Sequence, residues 1–162
     1  FKRWLCQDYH YVLAFNRFVA VIFAKTPRPY HAPIIQCLNA IANELAWFED
    51  HLQQQGVDLR EPPTPTCQAY SDFLVAAAYA EPWPISMTLL YAAEVSYNAA
   101  WGQLLPAQGQ YAEFIDRWTN PQFSAFVQQL AAICQAHTFP EQQQWFNRVL
   151  AFEADFWQMV TA

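Results

Sequence analysis

The chain has 162 residues and a formal net charge of −6; 54% of its residues are hydrophobic and 17% aromatic, while only 14% are charged, against about 25% in ordinary soluble domains. That balance excludes a disordered chain, and an acidic chain without clustered Lys or Arg is excluded as a nucleic-acid binder, whose affinity rests on displacing counterions with basic side chains. Three glycines are too few for the tight turns of an all-β protein or for a phosphate-cradling loop, so the expected fold is all-α, a compact multi-helix bundle forming one domain over residues 1–162.

Prolines punctuate this chain, because each removes a backbone donor and so starts or ends a helix. A first helix is expected over Lys2–Lys25 and a second over Pro33–Gln55, ending at Gly56. After the Pro62, Pro63, Pro65 linker, Thr66 caps a third helix running to Tyr79, and Pro82 and Pro84 divide it from a fourth over Ile85–Leu105. A short fifth helix covers Tyr111–Trp118; Asn120 followed by Pro121 opens a sixth reaching Ala136, and Pro140 opens the last, to Val160. The longest apolar stretches, such as Val19–Ala24, fall far short of the ~20 residues that cross a bilayer, so no membrane partner is expected. Cys6, Cys37, Cys67 and Cys134 form no C-x-x-C pair, which predicts buried, reduced thiols in a cytoplasmic protein. Polar faces richer in Gln and Asn than in Lys and Glu suit a helix bundle whose surface partly contacts another subunit.

In the first helix Trp4, Tyr11, Phe15, Phe18 and Ile22 lie along one stripe at helical spacing, with Asp8 inside it. Three more acids, Glu44, Glu94 and Glu153, also fall where the pattern calls for apolar side chains. Aromatics share their helix faces: Tyr11 three residues after Asp8, Tyr97 and Trp101 three and seven after Glu94, Trp157 four after Glu153. Desolvation raises the pKa of a carboxyl in such surroundings, as general acid–base catalysis near neutral pH requires; a hydrogen-bonded structural acid beside Tyr is the commoner outcome for any single one. Tyr70, Tyr91, Tyr97, Trp83, Trp101 and Trp118 read first as core or interface aromatics, and second as a stacking box for a flat heteroaromatic ligand. Glu44 and His51, two turns apart on one face, are the spacing with which a helical bundle begins a di-iron site, but the last helix has no histidine to complete one. His51 near a helix C-terminus is better explained by the helix dipole, so neither a metal nor a cofactor is expected.

The opening Phe1-Lys2-Arg3-Trp4-Leu5-Cys6-Gln7-Asp8-Tyr9-His10-Tyr11 resembles the F-x-x-W-L-x-Q-D-Y-x-Y helix of the TenA (thiaminase II) family. The likeness continues through Pro63–Tyr70, Tyr111–Trp118 and Phe152–Trp157, nearly the whole chain. The resemblance implies the haem-oxygenase-like fold, a homodimer or homotetramer, and a family helix that would precede Phe1. Where better-known members carry a pocket cysteine in a P-C-x-W-x-Y-like helix, this chain reads Tyr91-Ala92-Ala93-Glu94-Val95-Ser96-Tyr97-Asn98-Ala99-Ala100-Trp101 without cysteine, which looks like the branch with Glu in its place; the Arg117-Trp118 pair points the same way.

For that branch the resemblance implies thiamin salvage: hydrolysis of 4-amino-5-aminomethyl-2-methylpyrimidine, or its N-formyl form, toward hydroxymethylpyrimidine. It implies Glu153 and Glu94 as the catalytic pair, Glu153 in the acid–base role and Glu94 beside the substrate as base, nucleophile or binding group. Asp8 would pair with the aminopyrimidine edge, with Tyr11, Tyr70, Tyr97, Trp118 and Glu44 around the substrate. Without the family's cysteine, cleavage of thiamin itself is not expected. Two other readings stand beside this one: a haem-oxygenase-like di-iron oxidase, and a non-catalytic aminopyrimidine-binding protein.

Overall fold

In the computed structural model, which describes residues 1–58 and 60–161, seven α-helices carry the fold and no strand occurs among the described residues. They are α1 (Lys2–Lys25), α2 (His31–Gln54), α3 (Pro65–Ala80), α4 (Trp83–Gly102), α5 (Ala112–Thr119), α6 (Pro121–Ala136) and α7 (Gln142–Thr161). Short 3₁₀ turns, Arg28–Tyr30 and Gly109–Tyr111, lead into α2 and α5. The all-α expectation holds. Among the described residues no helix is long and apolar enough to cross a membrane.

Helix ends differ from the sequence expectation where a proline lies inside a first turn. Pro33 and Pro84 stand within α2 and α4, because the first-turn N–H groups have no intrahelical acceptor and a proline there forfeits nothing. Pro65 begins α3, so its cap is Thr64, whose Oγ1 accepts from Cys67 N at 3.3 Å, and not Thr66. At the other end of α2, Gly56 takes φ +66°, with its N–H on Gln53 O at 3.1 Å and Val57 N–H on Leu52 O at 3.0 Å. This is the paired C-terminal closure that glycine's left-handed conformation allows. Tyr111, expected in α5, belongs to the preceding 3₁₀ turn.

The apolar stripe of α1 is fully inside, Trp4, Tyr11, Phe15, Phe18 and Ile22 all being buried with Asp8 among them. α1 packs chiefly against α2 and α3, and α4 against α6 and α7; thinner contacts join α1 to α4 and α7. The thin junction is where a void can form between two well-packed halves. Gln7 fixes the entry to α3, accepting from Thr64 N–H through Oε1 at 2.7 Å. All four cysteines are buried and free.

Candidate functional site

One cavity of about 280 Å³ opens between α1, α2, α4, α5, α6 and α7. Its α1 side presents Asp8, Tyr11 and Phe15, positions i, i+3 and i+7 of one stripe. On α2 the same spacing aims Cys37 and Glu44 inward, and α4 contributes Glu94 and Tyr97. Arg117 and Trp118 come from the end of α5, Phe123 and Phe126 from α6, and Glu153 from α7. Seven of the eight residues expected at the site therefore meet around one space: Asp8, Tyr11, Glu44, Glu94, Tyr97, Trp118 and Glu153.

Tyr70, expected against the substrate, stands behind the wall. Its hydroxyl donates to Glu153 Oε1 at 2.7 Å and accepts from Tyr11 at 3.3 Å. It is 1% exposed, so it acts on the cavity through Glu153. A second relay holds Asp8: Trp4 Nε1 donates to Tyr97 OH at 3.2 Å, and Tyr97 donates to Asp8 Oδ2 at 2.7 Å. The direction is forced, because an indole N–H only donates, which leaves the tyrosine proton for the carboxyl.

The last turn of α5 is clamped so that Arg117 and Trp118 keep their aim. Asn98 Nδ2 donates to Trp118 O at 2.7 Å, and Asn120 Nδ2 donates to Asp116 O and Arg117 O at 3.0 and 2.9 Å. Asn120 Oδ1 meanwhile accepts from Phe123 N–H at 2.9 Å and caps α6, so one amide closes α5 and opens α6. Arg117 lies over the Trp47 ring, 4.1 Å from its centroid.

Desolvation dominates the titration of every cavity acid. It lifts Glu44 to about 7, against the Arg117 charge and the Trp118 indole, which pull it down. Glu94 rises to about 8, with Glu44's charge adding to burial. Glu153 rises to about 7 despite the Tyr70 hydrogen bond, and Asp8 is pushed well above the usual carboxylate range despite Tyr97. Neutral and ionised carboxyls thus coexist near pH 7, as proton donation and proton removal in one place require. Neutral Asp8 can donate to a ring nitrogen while accepting from an adjacent amine, and the aromatic walls suit a flat ring.

Two titratable residues of the cavity were missed by sequence reasoning. Cys37 was assigned to the core, yet its Sγ donates toward Glu94 Oε1 at 3.7 Å; burial and the two neighbouring glutamates push its thiol pKa well up, the opposite of an activated nucleophile. Its spacing of seven from Glu44 was the available signal. Arg117 was noted only as Trp118's neighbour, and no pattern marks a lone cation on a short helix. His51 is not at the cavity: its Nδ1 is 2.8 Å from Trp47 O and its ring packs on Trp47 and Phe114. Among the described residues no three of His, Cys, Asp and Glu are grouped to hold a metal ion.

Comparison with known proteins covers the whole chain. The model of the TENA/THI-4/PQQC family matches residues 1–162. A protein of Glycine max named "Probable bifunctional TENA-E protein" is 24% identical over 177 aligned positions, which take in 98% of this chain and 77% of that protein. The crystal structure of a TenA homologue from Pyrococcus furiosus is 28% identical with a TM-score of 0.90, over 99% of this chain and 82% of its own. A TenA family transcription regulator from Silicibacter sp. TM1040 has a TM-score of 0.88 at 19% identity, over 99% of this chain and 80% of its own, a likeness of fold alone.

Proposed function

Because the chain belongs to the TENA/THI-4/PQQC family, whose haem-oxygenase-like all-helical fold it shares, we propose that it hydrolyses an aminomethyl- or formylaminomethyl-pyrimidine to hydroxymethylpyrimidine in thiamin salvage. The observation that carries this reading is the convergence of Asp8, Glu44, Glu94 and Glu153, from four helices, on one aromatic-walled cavity. Four carboxyls facing one guanidinium make a space that favours a ligand bearing an amine.

Asp8, oriented by Tyr97, pairs with the aminopyrimidine edge, and Tyr11 and Trp118 flank the ring. Entry of an alkylammonium group favours ionisation of a cavity acid, since an opposite charge close by offsets the cost of burial. The ammonium passes a proton to Glu153 on binding and takes it back as the amine departs, and Glu94, as a carboxylate on α4, takes one from the attacking water. The C–N bond breaks, a C–O bond forms, and ammonia leaves as hydroxymethylpyrimidine appears. Cys37 supports a hydrolase without thiaminase activity, because the one cysteine at this cavity is held as a thiol beside two acids.

Purified protein incubated with the aminomethylpyrimidine, its N-formyl derivative and thiamin tests the reading. Ammonia release from the first with no thiazole release from thiamin is the expected result. Rapid thiamin turnover overturns the proposed substrate range, and absence of turnover with all three overturns the hydrolase.

A further inference from the structure

One charged group at the cavity has no part in the steps above. Arg117 lines the space, and its guanidinium is stacked on Trp47. Its Nε is buried without any hydrogen-bond partner, and the one ion pair among the described residues joins Arg60 to Asp58 instead. A guanidinium carries N–H donors and no acceptor, so a buried N–H aimed at nothing asks for an oxygen from the ligand. Asn98 and Asn120 hold the turn that presents it, so the donor is preset before any ligand arrives.

The nature of that oxygen follows from the surroundings. A permanently anionic substituent, such as a phosphate ester, would enter among four carboxyls and be repelled by each that is ionised. An acyl oxygen is neutral on entry and becomes negative only when the carbonyl carbon turns tetrahedral, which is the moment at which a preset cation stabilises most. Resting on the hydrolase reading, we infer that Arg117 is the acyl-oxygen receptor of this cavity, a catalytic residue for removing the formyl group from N-formylaminomethylpyrimidine.

Water adds to the formyl carbon as a cavity carboxylate removes its proton. The carbonyl electron pair moves to oxygen, which lies against Arg117. Collapse re-forms the carbonyl and breaks the C–N bond, and the nitrogen takes the proton held by the carboxyl. Formic acid leaves, giving its remaining proton to the amine, so the products are formate and the aminomethylpyrimidine in its ammonium form. That amine is the substrate of the C–N hydrolysis at the same cavity.

Formate and ammonia release are to be measured separately, from the formylated and the free amine, for the wild type, Arg117→Gln and Arg117→Lys. The expected result is that Arg117→Gln lowers kcat/KM for formate release about 100-fold more than for ammonia release. Arg117→Lys, which keeps the charge without the planar fork, should fall between the two. Equal loss of both activities, or unchanged formate release, overturns the inference. So does a wild type that releases ammonia but no formate, a result that leaves the proposed hydrolase standing. A wild type that turns over neither compound overturns the hydrolase instead. Calorimetry then decides for Arg117: equal affinity of wild type and Arg117→Gln for the formylated compound overturns its role, and selective loss of that affinity in the variant supports it.

Discussion

The two carboxylate-bearing sides of the cavity are built differently. On the α1 and α7 side each acid receives a tyrosine hydroxyl at 2.7 Å, Asp8 from Tyr97 and Glu153 from Tyr70, and each tyrosine is itself held by a further donor, Trp4 or Tyr11. On the α2 and α4 side, Glu94 has a thiol at 3.7 Å, and Glu44 has the indole of Trp118 and the charge of Arg117. A short hydrogen bond between a hydroxyl and a carboxyl fixes geometry, whereas a weak thiol contact leaves an acid free to meet water or substrate. The first side is thus a positioned pair of acids, and the second a proton store whose members respond to what enters.

Removing an acid from the positioned side should have the largest effect. Glu153→Gln keeps the shape and loses the exchangeable proton, so kcat for ammonia release should drop about 10³-fold, in the range of general acid–base contributions. Thermal stability should hold, since Gln can still accept from Tyr70. A variant retaining more than a tenth of wild-type kcat would remove Glu153 from the proton path and erase the distinction between the two sides.

Tyr97→Phe tests positioning without touching a carboxyl. Leaving buried hydrogen-bonding groups without partners costs roughly 1–3 kcal/mol, so ligand affinity should fall about 5- to 100-fold as Asp8 loses its donor and Trp4 its acceptor. The corresponding change in kcat should be smaller, because Asp8 holds the ring and does not handle the leaving group. A larger loss in kcat than in affinity would place Asp8 on the proton path beside Glu153.

Much of this arrangement was legible in the chain before any coordinates. Acids at apolar positions of an amphipathic helix stand out by period alone, so Asp8, Glu94 and Glu153 could be read from the 3.6-residue pattern, and all seven helices were bounded to within a few residues, mostly by proline and glycine. Helix starts shifted where Pro33, Pro65 and Pro84 sit inside first turns, since a proline marks a helix beginning only to within its first three positions. Tyr70 was placed on the wall by the family resemblance; one layer of depth separates lining from backing, and no periodicity encodes that layer. Arg117 was illegible for a related reason: its surroundings arise from packing of the α5–α6 junction against Trp47 of α2, which is distant in sequence.

The smallest expected effect concerns the proton store in the unliganded protein. Glu94 has an ordinary pKa of 4.5 and is raised to about 8 in the fold, first by burial and then by Glu44. A carboxyl with a raised folded-state pKa binds its proton more tightly folded than unfolded, so its contribution is fully present below the ordinary value and is lost as pH climbs through the folded one. Glu44 and Glu153, each raised to about 7, and Asp8, also raised, act in the same direction. The melting temperature of the free protein should therefore fall between about pH 5 and pH 9, against the common pattern in which paired carboxylates favour the neutral side. Glu94→Gln imitates the protonated acid at every pH, so it should match the wild type near pH 5 and melt several degrees higher near pH 9. Parallel curves for the two proteins across that range would show that Glu94 ionises without cost, and that the α2 and α4 side is as well satisfied as the side held by the tyrosines.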